Sequence, residues 1–233
     1  TTLNRLCGSS LDAAMVASRQ IALGEADVVV VGGVESMSRA PWVLPKTERP
    51  YPAGSMELAS TTLGWRLVNP AMPKEWTVSL GEATEQLREK YAVTREAMDE
   101  FAARSHFLAD AAWSSGFFAD QVVAVPGVGL DRDESIRCET TVERLAGLKP
   151  SFRSAETGTV TAGNASPLND GASAALLGSA KADALTGLSP VARIAGRGAA
   201  ANDPQFFGYA PVEAANQALA RAGITWDDVD AVE

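Results

Sequence analysis

The chain has 233 residues, of which 46% are hydrophobic and 21% are charged, as is typical of a globular protein with a packed core. Its formal net charge of −9 argues against nucleic acid as a partner, because phosphate binding needs a basic surface. The longest apolar run is too short to cross a bilayer and no secretory signal is recognisable. We therefore expect no membrane partner and a cytoplasmic location. The two cysteines, Cys7 and Cys138, do not make a disulfide framework.

The first predicted element is a helix that begins just after Cys7. Small and apolar residues recur at helical spacing over 10–23, with Ser9 or Ser10 as the N-cap and Gly24 at the end. The thiolate is the reactive form of cysteine, and a helix N-terminus stabilises it, so Cys7 is a candidate nucleophile. On this spacing alone, a small buried core cysteine stays open as the alternative.

Two apolar runs predict strands. The β-branched run at 28–31 ends at Gly32 and Gly33 and predicts a strand buried on both faces, as in a parallel sheet. Residues 172–177 predict a second buried strand. A helix, a short turn and a buried strand in succession indicate α/β layering. The two glycines lack a surrounding G-x-G-x-x-G pattern, so we interpret them as tight strand-end geometry rather than a phosphate loop.

Two amphipathic helices are predicted in the middle of the chain. The first carries a stripe of Leu80, Ala83, Leu87 and Tyr91. The second begins at Thr94 and ends near residue 116, with an apolar stripe of Met98, Phe101, Ala102, Ser105, Leu108, Ala109, Ala112 and Trp113. Further predicted elements are short strands at 121–125 and 191–198, a helix over 211–222 and the start of a strand at 229.

Two long segments carry a resemblance to a known family. The matching stretches are N-R-L-C-G-S-S at 4–10, G-E-A-D at 24–27, G-G-V-E-S-M-S-R-A-P at 32–41, G-T-V-T-A-G-N-A-S at 158–166 and N-D-G at 169–171. In this order they resemble the thiolases, the acyl-CoA acetyltransferases. The chain departs from the family pattern at Ser10, where the family usually has a smaller residue.

The resemblance implies a layered α/β fold built from two related halves, with mixed sheets covered by helices and a helical loop domain. The implied order is the later part of the N-terminal half (1–36), the loop domain (37–168), a returning strand and helix of the N-terminal half (169–188) and the start of the C-terminal half (189–233). The family's N-E-A-F, G-H-P and C-x-G-G-G-x-G motifs do not occur in the sequence. We therefore expect both halves to be incomplete and the chain to be an internal piece.

The resemblance also implies an enzyme, an acetyl-CoA C-acyltransferase. It would cleave a 3-ketoacyl-CoA with CoA to acetyl-CoA and a shortened acyl-CoA, or run the reverse condensation, in fatty acid or aromatic degradation. Cys7 would attack the 3-keto carbonyl and carry the acyl group, and its own backbone N–H would be one oxyanion donor. CoA is a substrate in this scheme, with no metal or redox cofactor. The implied assembly is a homodimer or homotetramer.

Within the family, the stretch T-T-L-G-W-R-L-V-N-P at 61–70 resembles members that act on 3-oxoadipyl-CoA. General 3-ketoacyl-CoA and acetoacetyl-CoA thiolases remain alternatives.

A tunnel for CoA and the acyl chain is implied as well. Leu80 matches an apolar position at the acyl–pantetheine junction, and Arg137 matches a cation near the nucleotide end. Small side chains over 158–168 would let the backbone approach the pantetheine arm closely. The tunnel residues are Leu80, Arg137, Phe152, Ala162, Ser166 and Leu168. The alternatives are a plain turn between strands for the loop and a solvated charge for Arg137.

The single histidine, His106, and the second cysteine, Cys138, lie outside the motifs in which the family has its catalytic histidine and second cysteine. We interpret His106 as a half-exposed helix residue and Cys138 as a loop cysteine. Because the base and the acid motifs do not occur in this sequence, a non-catalytic acyl-CoA-binding or scaffold protein is the alternative function.

Overall fold

The computed structural model describes all 233 residues. The helices are α1 (Ser9–Ala22), α2 (Leu80–Lys90), α3 (Arg95–Ser114), α4 (Val142–Ala146), α5 (Ala182–Thr186) and α6 (Ala210–Ala222). The strands are β1 (Val28–Ser36), β2 (Trp42–Val43), β3 (Ala59–Ser60) and β4 (Asp170–Gly178). Short 3₁₀ helices lie at Met37–Arg39, Lys74–Thr77, Pro204–Tyr209 and Trp226–Asp228. None of the helices is both long enough and apolar enough to span a membrane.

The chain forms two compact units. Unit 1 comprises Thr1–Arg66, Leu168–Asn202 and Tyr209–Glu233, and unit 2 comprises Leu67–Pro167 and Asp203–Gly208. Unit 1 contains α1, α5, α6 and every strand, and unit 2 contains α2, α3 and α4. The loop domain over 37–168 and the other domain limits stay predictions.

In unit 1, α1 packs against β1 and β4, which pair with each other in antiparallel direction. The strands predicted at 28–31 and 172–177 are confirmed, but the predicted burial of the second is wrong, because eight of the nine residues of β4 are exposed. The parallel, doubly buried environment of the first is wrong, because Val30 and Val34 are 72% and 80% exposed. Both sheets, β1–β4 and β2–β3, are antiparallel rather than mixed. A run of β-branched residues favours extended backbone, but it does not encode the direction of the neighbouring strand.

The ends of α1 differ in how well the sequence predicts them. Gly24 follows the helix with φ at 74°, a left-handed conformation that glycine adopts without strain, and this predicted end is confirmed. Gly8 is the N-cap and supplies no side-chain hydrogen bond, so the predicted caps Ser9 and Ser10 are wrong. Both residues lie inside the first turn of the helix instead.

In unit 2, α2 and α3 begin at hydroxyl caps and match the predicted helices. The Ser79 and Thr94 side chains each accept a backbone N–H at 3.2 Å, from Glu82 and Ala97 respectively. The predicted apolar face of α3 is partly wrong: Phe101 is exposed, whereas the most deeply buried residue of this helix is Asp99, which the apolar stripe leaves out. A stripe of apolar residues does not reveal a carboxylate that is buried because it has partners.

The strands predicted at 121–125, at 191–198 and from 229 onward do not form. The second of these segments lies instead on the backbone of α6. A Cβ on Gly198 would be 1.7 Å from the Ala214 carbonyl oxygen, and a Cβ on Gly196 would be 2.0 Å from that of Ala218. The two glycines therefore serve a close approach to a helix, and no neighbouring strand pairs with this segment.

Candidate active site

Cys7 lies in the turn that leads into α1. Its side chain is exposed and is not part of a disulfide. The preceding residue, Leu6, has φ at 50°, in the left-handed region that residues with a Cβ rarely adopt. Strain of this kind persists only where neighbouring contacts fix the backbone, and it clusters at functional sites.

Contacts from nearby residues fix the turn around Cys7. The Ser9 hydroxyl donates to the Leu6 carbonyl oxygen at 2.6 Å and accepts the Arg5 backbone N–H at 2.8 Å. The Arg5 guanidinium pairs with Asp12 in the first turn of α1, with Nε to Oδ2 at 3.2 Å. The support of the predicted nucleophile is therefore local in sequence, and Ser9 contributes by closing the turn rather than by capping the helix.

One contact joins this helix start to β1. A Cβ on Gly33 would lie 2.2 Å from Oγ of Ser10, so the serine side chain occupies the space that the glycine leaves open. Ser10 is the position at which the sequence departs from the thiolase pattern towards a larger residue. The glycine of β1 therefore gives this chain room for its larger side chain.

This arrangement suits nucleophilic chemistry. The positive end of a helix dipole favours a negative charge at the helix start, and the thiolate is the nucleophilic form of cysteine. The Asp12 carboxylate, which adds negative charge to the same turn, is balanced by Arg5. No group of three or more His, Cys, Asp or Glu side chains is arranged to hold a metal ion.

In unit 2, the structure brings together three of the predicted tunnel segments. Leu80 is the first residue of α2 and is exposed, and the next residue, Gly81, lies against the Phe152 ring. Ser151 donates its N–H to the Val160 carbonyl oxygen at 2.8 Å, which joins the Phe152 segment to the glycine-rich loop, residues 157–164. The predicted Ala162 lies in that loop and the predicted Ser166 lies two residues after it, and both are exposed.

A buried carboxylate, Glu85 of α2, holds the start of this loop. The side chain is 0% exposed and accepts the backbone N–H groups of Thr159 and Val160 at 2.6 and 2.7 Å. It also accepts the Thr159 hydroxyl at 2.7 Å and Nε of Arg88 at 3.2 Å. Burial raises the pKa of Glu85, but these hydrogen bonds outweigh burial and lower the pKa to about 2.

A second buried carboxylate, Asp99 of α3, holds the end of the loop through Asn164. Asp99 is 1% exposed, pairs with Nε of Arg95 at 2.7 Å and accepts Nδ2 of Asn164 at 2.9 Å. The same amide nitrogen donates to the Thr159 carbonyl oxygen at 3.1 Å. The Asn164 side-chain oxygen accepts the Thr161 N–H at 2.8 Å. One asparagine therefore closes the loop on itself and fastens it to α3.

Arg153 fastens the segment before the loop to α2. Its Nε and one terminal nitrogen contact both carboxylate oxygens of Glu82 at 2.8 and 2.7 Å, and its other terminal nitrogen contacts Glu89 at 2.5 Å. The hydrogen bonds from Arg153 hold the pKa of Glu82 below its usual value, and those to Glu82 and Glu89 raise the pKa of Arg153. The residue that follows Phe152 is thus held by a bidentate ion pair between Arg153 and Glu82.

The remaining predicted residues lie elsewhere. Arg137 is an exposed residue of unit 2 whose backbone N–H donates to Nδ1 of His106 at 3.2 Å, and its side chain makes no hydrogen bond to the loop. Cys138 is exposed beside it, and His106 is half-buried on α3. Leu168 belongs to unit 1 together with Cys7 and is exposed.

Sequence reasoning missed Glu85, Asp99 and Asn164 as structural supports of the loop. Asn164 lies inside the G-T-V-T-A-G-N stretch that carries the family resemblance, and Glu85 lies on the predicted helix with the stripe from Leu80 to Tyr91. The signal that could have found them is a carboxylate on a helix paired with a loop whose backbone N–H groups need acceptors. Nothing in the sequence states that residues about 75 positions apart meet.

Comparison with known proteins agrees with this architecture. The family model described as thiolase, N-terminal domain, matches residues 1–181, and the one described as thiolase, C-terminal domain, matches residues 188–233. The chain belongs to the thiolase family. The resemblance drawn from the sequence motifs and the α/β thiolase fold are thereby confirmed. The boundaries between the predicted segments stay predictions.

Individual thiolases cover the whole chain. The 3-oxoadipyl-CoA/3-oxo-5,6-dehydrosuberyl-CoA thiolase of Escherichia coli (strain K12) is 44% identical over 241 residues, which include all of this chain and 59% of the relative. An acetyl-CoA acetyltransferase of Pseudomonas aeruginosa is 42% identical with the same coverage. The crystal structure of human mitochondrial 3-ketoacyl-CoA thiolase in complex with CoA superposes with a TM-score of 0.86 at 34% identity, covering 98% of this chain and 57% of that chain.

The chain spans about three fifths of the length of the curated relatives it matches. Both of the relatives described above are named as enzymes, and neither favours the alternative of a non-catalytic scaffold protein.

Proposed function

We propose that this chain contributes the acyl-carrying cysteine of a thiolase that cleaves 3-ketoacyl-CoA with CoA. The Cys7 thiolate attacks the 3-keto carbonyl carbon, the bond between C2 and C3 breaks, and its electron pair leaves as the enolate of acetyl-CoA, which takes up a proton. The thiolate of a second CoA then attacks the acyl–cysteine thioester and releases a shortened acyl-CoA together with the free cysteine. The same steps in reverse give the condensation.

The observation that carries this proposal is the setting of Cys7. An exposed thiol follows a strained Leu6 and stands at the start of α1, within the motif that family members share. A merely structural cysteine has no need of exposure or of a strained neighbour, because small buried thiols serve packing. The oxyanion that forms during attack needs a donor nearby, and we propose the Cys7 backbone N–H for that role.

The CoA-binding part of the proposal concerns unit 2 and the residue that follows it. Leu80, Phe152, Ala162, Ser166 and Leu168 are proposed to contact the acyl–pantetheine portion. Exposure of these side chains supports the proposal, because a residue that binds ligand has to be accessible. Arg137 is proposed to contact the nucleotide end, and its exposed position is compatible with a phosphate contact. CoA serves as substrate, and no resident cofactor enters the proposal.

For the acyl group, we propose a 3-oxoadipyl-CoA type of substrate. The support is the stretch at 61–70 and the 44% identity to a thiolase named for 3-oxoadipyl-CoA. A ratio of kcat/KM for 3-oxoadipyl-CoA over acetoacetyl-CoA above about tenfold, equal to 1.4 kcal/mol of transition-state discrimination, is expected. A ratio near or below one assigns the protein to the general acetyl transferases.

The test of the reaction compares the two cysteines. Thiolysis of a 3-ketoacyl-CoA is followed in the wild-type protein, in Cys7→Ser and in the matched control Cys138→Ser, which removes the other exposed thiol. We expect activity to fall to background in the first variant and to stay within about twofold in the second. Full activity in Cys7→Ser would remove this residue from the mechanism, whereas CoA binding without turnover in the wild type would favour a binding protein.

We propose a homodimer or homotetramer as the assembly and the cytoplasm as the location, both by analogy with the family. Sedimentation equilibrium decides the first, since a monomeric mass at micromolar concentration would contradict it. Fractionation of cells decides the second.

A further inference from the structure

The glycine-rich loop of unit 2 has two faces with different surroundings. Val160 and Thr161 are 3% and 0% exposed, and a Cβ on the nearby Gly163 would lie 2.4 Å from Leu145 of α4. On the other face, Ala162 is exposed, as is Ser166 two residues after the loop. One face is therefore packed into the protein while the other is free to meet a ligand.

The packed face is held by charges that the proposed reaction does not use. Glu85 accepts three hydrogen bonds from Thr159 and Val160, and Asp99 accepts one from Asn164, which closes the loop. Both carboxylates are buried, and each has an arginine partner on its own helix. Burying a charge costs free energy unless the charge is fully paired. Packing alone therefore does not explain why two carboxylates lie at this loop.

We propose that Glu85 and Asp99 are positioning residues for acyl-CoA, which fix the loop over 157–164 so that its exposed face presents one backbone shape to the pantetheine arm. This inference rests on the proposed function, because that function gives the loop its ligand. Neither carboxylate touches the ligand in this account. Each acts through backbone groups of the loop.

An isosteric substitution changes the hydrogen bonds that fix the backbone of the loop without changing the volume that the buried side chain fills. In Glu85→Gln, one of the two acceptor oxygens becomes an amide nitrogen, which is a donor. In the place of Oε1 this nitrogen faces the N–H groups of both Thr159 and Val160, and in the place of Oε2 it faces the Thr159 hydroxyl and Nε of Arg88. In either orientation at least one donor is left without its acceptor while the packing volume is unchanged. The loop therefore opens locally, whereas an exchange of an exposed carboxylate has no such effect. Glu100→Gln is the matched control, since Glu100 is exposed and directly follows the buried Asp99 on α3.

The primary measurement is the equilibrium Kd for CoA by dialysis, with hydrogen exchange of the loop amides followed by mass spectrometry. For Glu85→Gln we expect Kd to rise roughly 10- to 100-fold and the amides of Thr159 and Val160 to exchange faster by a similar factor. Asp99→Asn, which places an amide nitrogen opposite either Nδ2 of Asn164 or Nε of Arg95, should shift both quantities in the same direction. Glu100→Gln should leave both within about twofold.

Steady-state kinetics give a readout that general loss of folded protein does not reproduce. Positioning predicts a higher KM for CoA with kcat within about twofold, whereas a smaller folded fraction lowers kcat at constant KM. Thr159→Val, which removes only the hydroxyl that Glu85 accepts, should raise KM, and Thr159→Ser should restore it.

An unchanged Kd for CoA in Glu85→Gln, with faster loop exchange, would overturn the inference, as would loss of kcat without a change in KM. A failure of the proposed function looks different. If the wild type binds CoA but performs no thiolysis, the reaction is disproved while the Kd comparison still decides the positioning role. If the wild type does not bind CoA, both are overturned.

Discussion

The turn around Cys7 in unit 1 and the loop over 157–164 in unit 2 are held in opposite ways. The turn is fixed by neighbours between Arg5 and Asp12, in an exposed setting. The loop is fixed by buried carboxylates 65 to 75 residues earlier in the chain. The comparison teaches that a nucleophile can be specified by a short motif, whereas the shape of a binding loop depends on distant helices.

The largest effect on the loop is expected when the buried carboxylate of Glu85 is removed. Glu85→Ala leaves two backbone N–H groups and Arg88 without their acceptor, and we expect a loss of about 3–5 kcal/mol in the free energy of unfolding. Urea denaturation followed by circular dichroism measures it. The control Glu89→Ala removes a half-exposed carboxylate and should cost about 0–1 kcal/mol. Equal losses in both variants would show that Glu85 is not a special support.

The pH dependence of stability is a second, slightly smaller test of the same group. The folded-state pKa of Glu85, about 2, lies below its ordinary value of 4.5, so the unfolded state takes up the proton first as pH falls. Its contribution, about 3 kcal/mol, is complete above pH 4.5 and is lost progressively between pH 4.5 and 2. Urea unfolding at pH 6, 4 and 3 should therefore show the gap between wild type and Glu85→Gln closing towards acid pH. A gap that does not change with pH would contradict the assignment.

The close contact between Gly81 and the Phe152 ring in unit 2 predicts a smaller loss of stability. A Cβ on Gly81 would lie 2.2 Å from Cδ2 of the Phe152 ring, so Gly81→Ala should displace the ring and cost about 1–3 kcal/mol. Gly129→Ala is the control, because nothing lies within 4 Å of its added methyl group. Adding Phe152→Leu to the first variant should recover part of the loss, and thermal unfolding measures all of these variants. If the double variant recovers no stability, the loss in Gly81→Ala does not come from contact with the Phe152 ring.

At the nucleophile turn we expect the smallest effect. Gly33→Ala meets Oγ of Ser10 at 2.2 Å, but this hydroxyl can rotate away, so the cost in stability should stay below about 1 kcal/mol. The rate of Cys7 alkylation by iodoacetamide should change measurably, and Ser10→Ala in the same chain should restore it. An alkylation rate that stays the same in both variants would show that the contact between Gly33 and Ser10 does not position the thiol.

Much of the local structure could be predicted from the sequence. Periodicity predicted α1, α2, α3 and α6, and Gly24 marked the end of α1 because a left-handed residue was needed there. The family resemblance followed from motifs within short segments, which are complete in themselves. In each case the physical cause and the sequence signal lie within a few residues of each other.

What the sequence did not reveal depends on partners far along the chain. The direction of β1 relative to β4 follows from tertiary pairing, and residues 191–198 lie on α6 where a strand was predicted. Asp99 was passed over because a polar residue on a helix is usually solvated, and only Arg95 and Asn164 make its burial favourable. Long-range partners decide these features, and a pattern of residue types does not name them.

The central claim is that Cys7 carries the acyl group, and trapping that intermediate tests it most directly. The protein is incubated with acetyl-CoA without a second substrate, quenched in acid and digested, and the peptides of Cys7 and Cys138 are compared by mass. We expect one acetyl group on the Cys7 peptide, none on the Cys138 peptide, and loss of the label when free CoA is added before the quench. Acetylation of both thiols at equal rates, or of Cys138 alone, would contradict it.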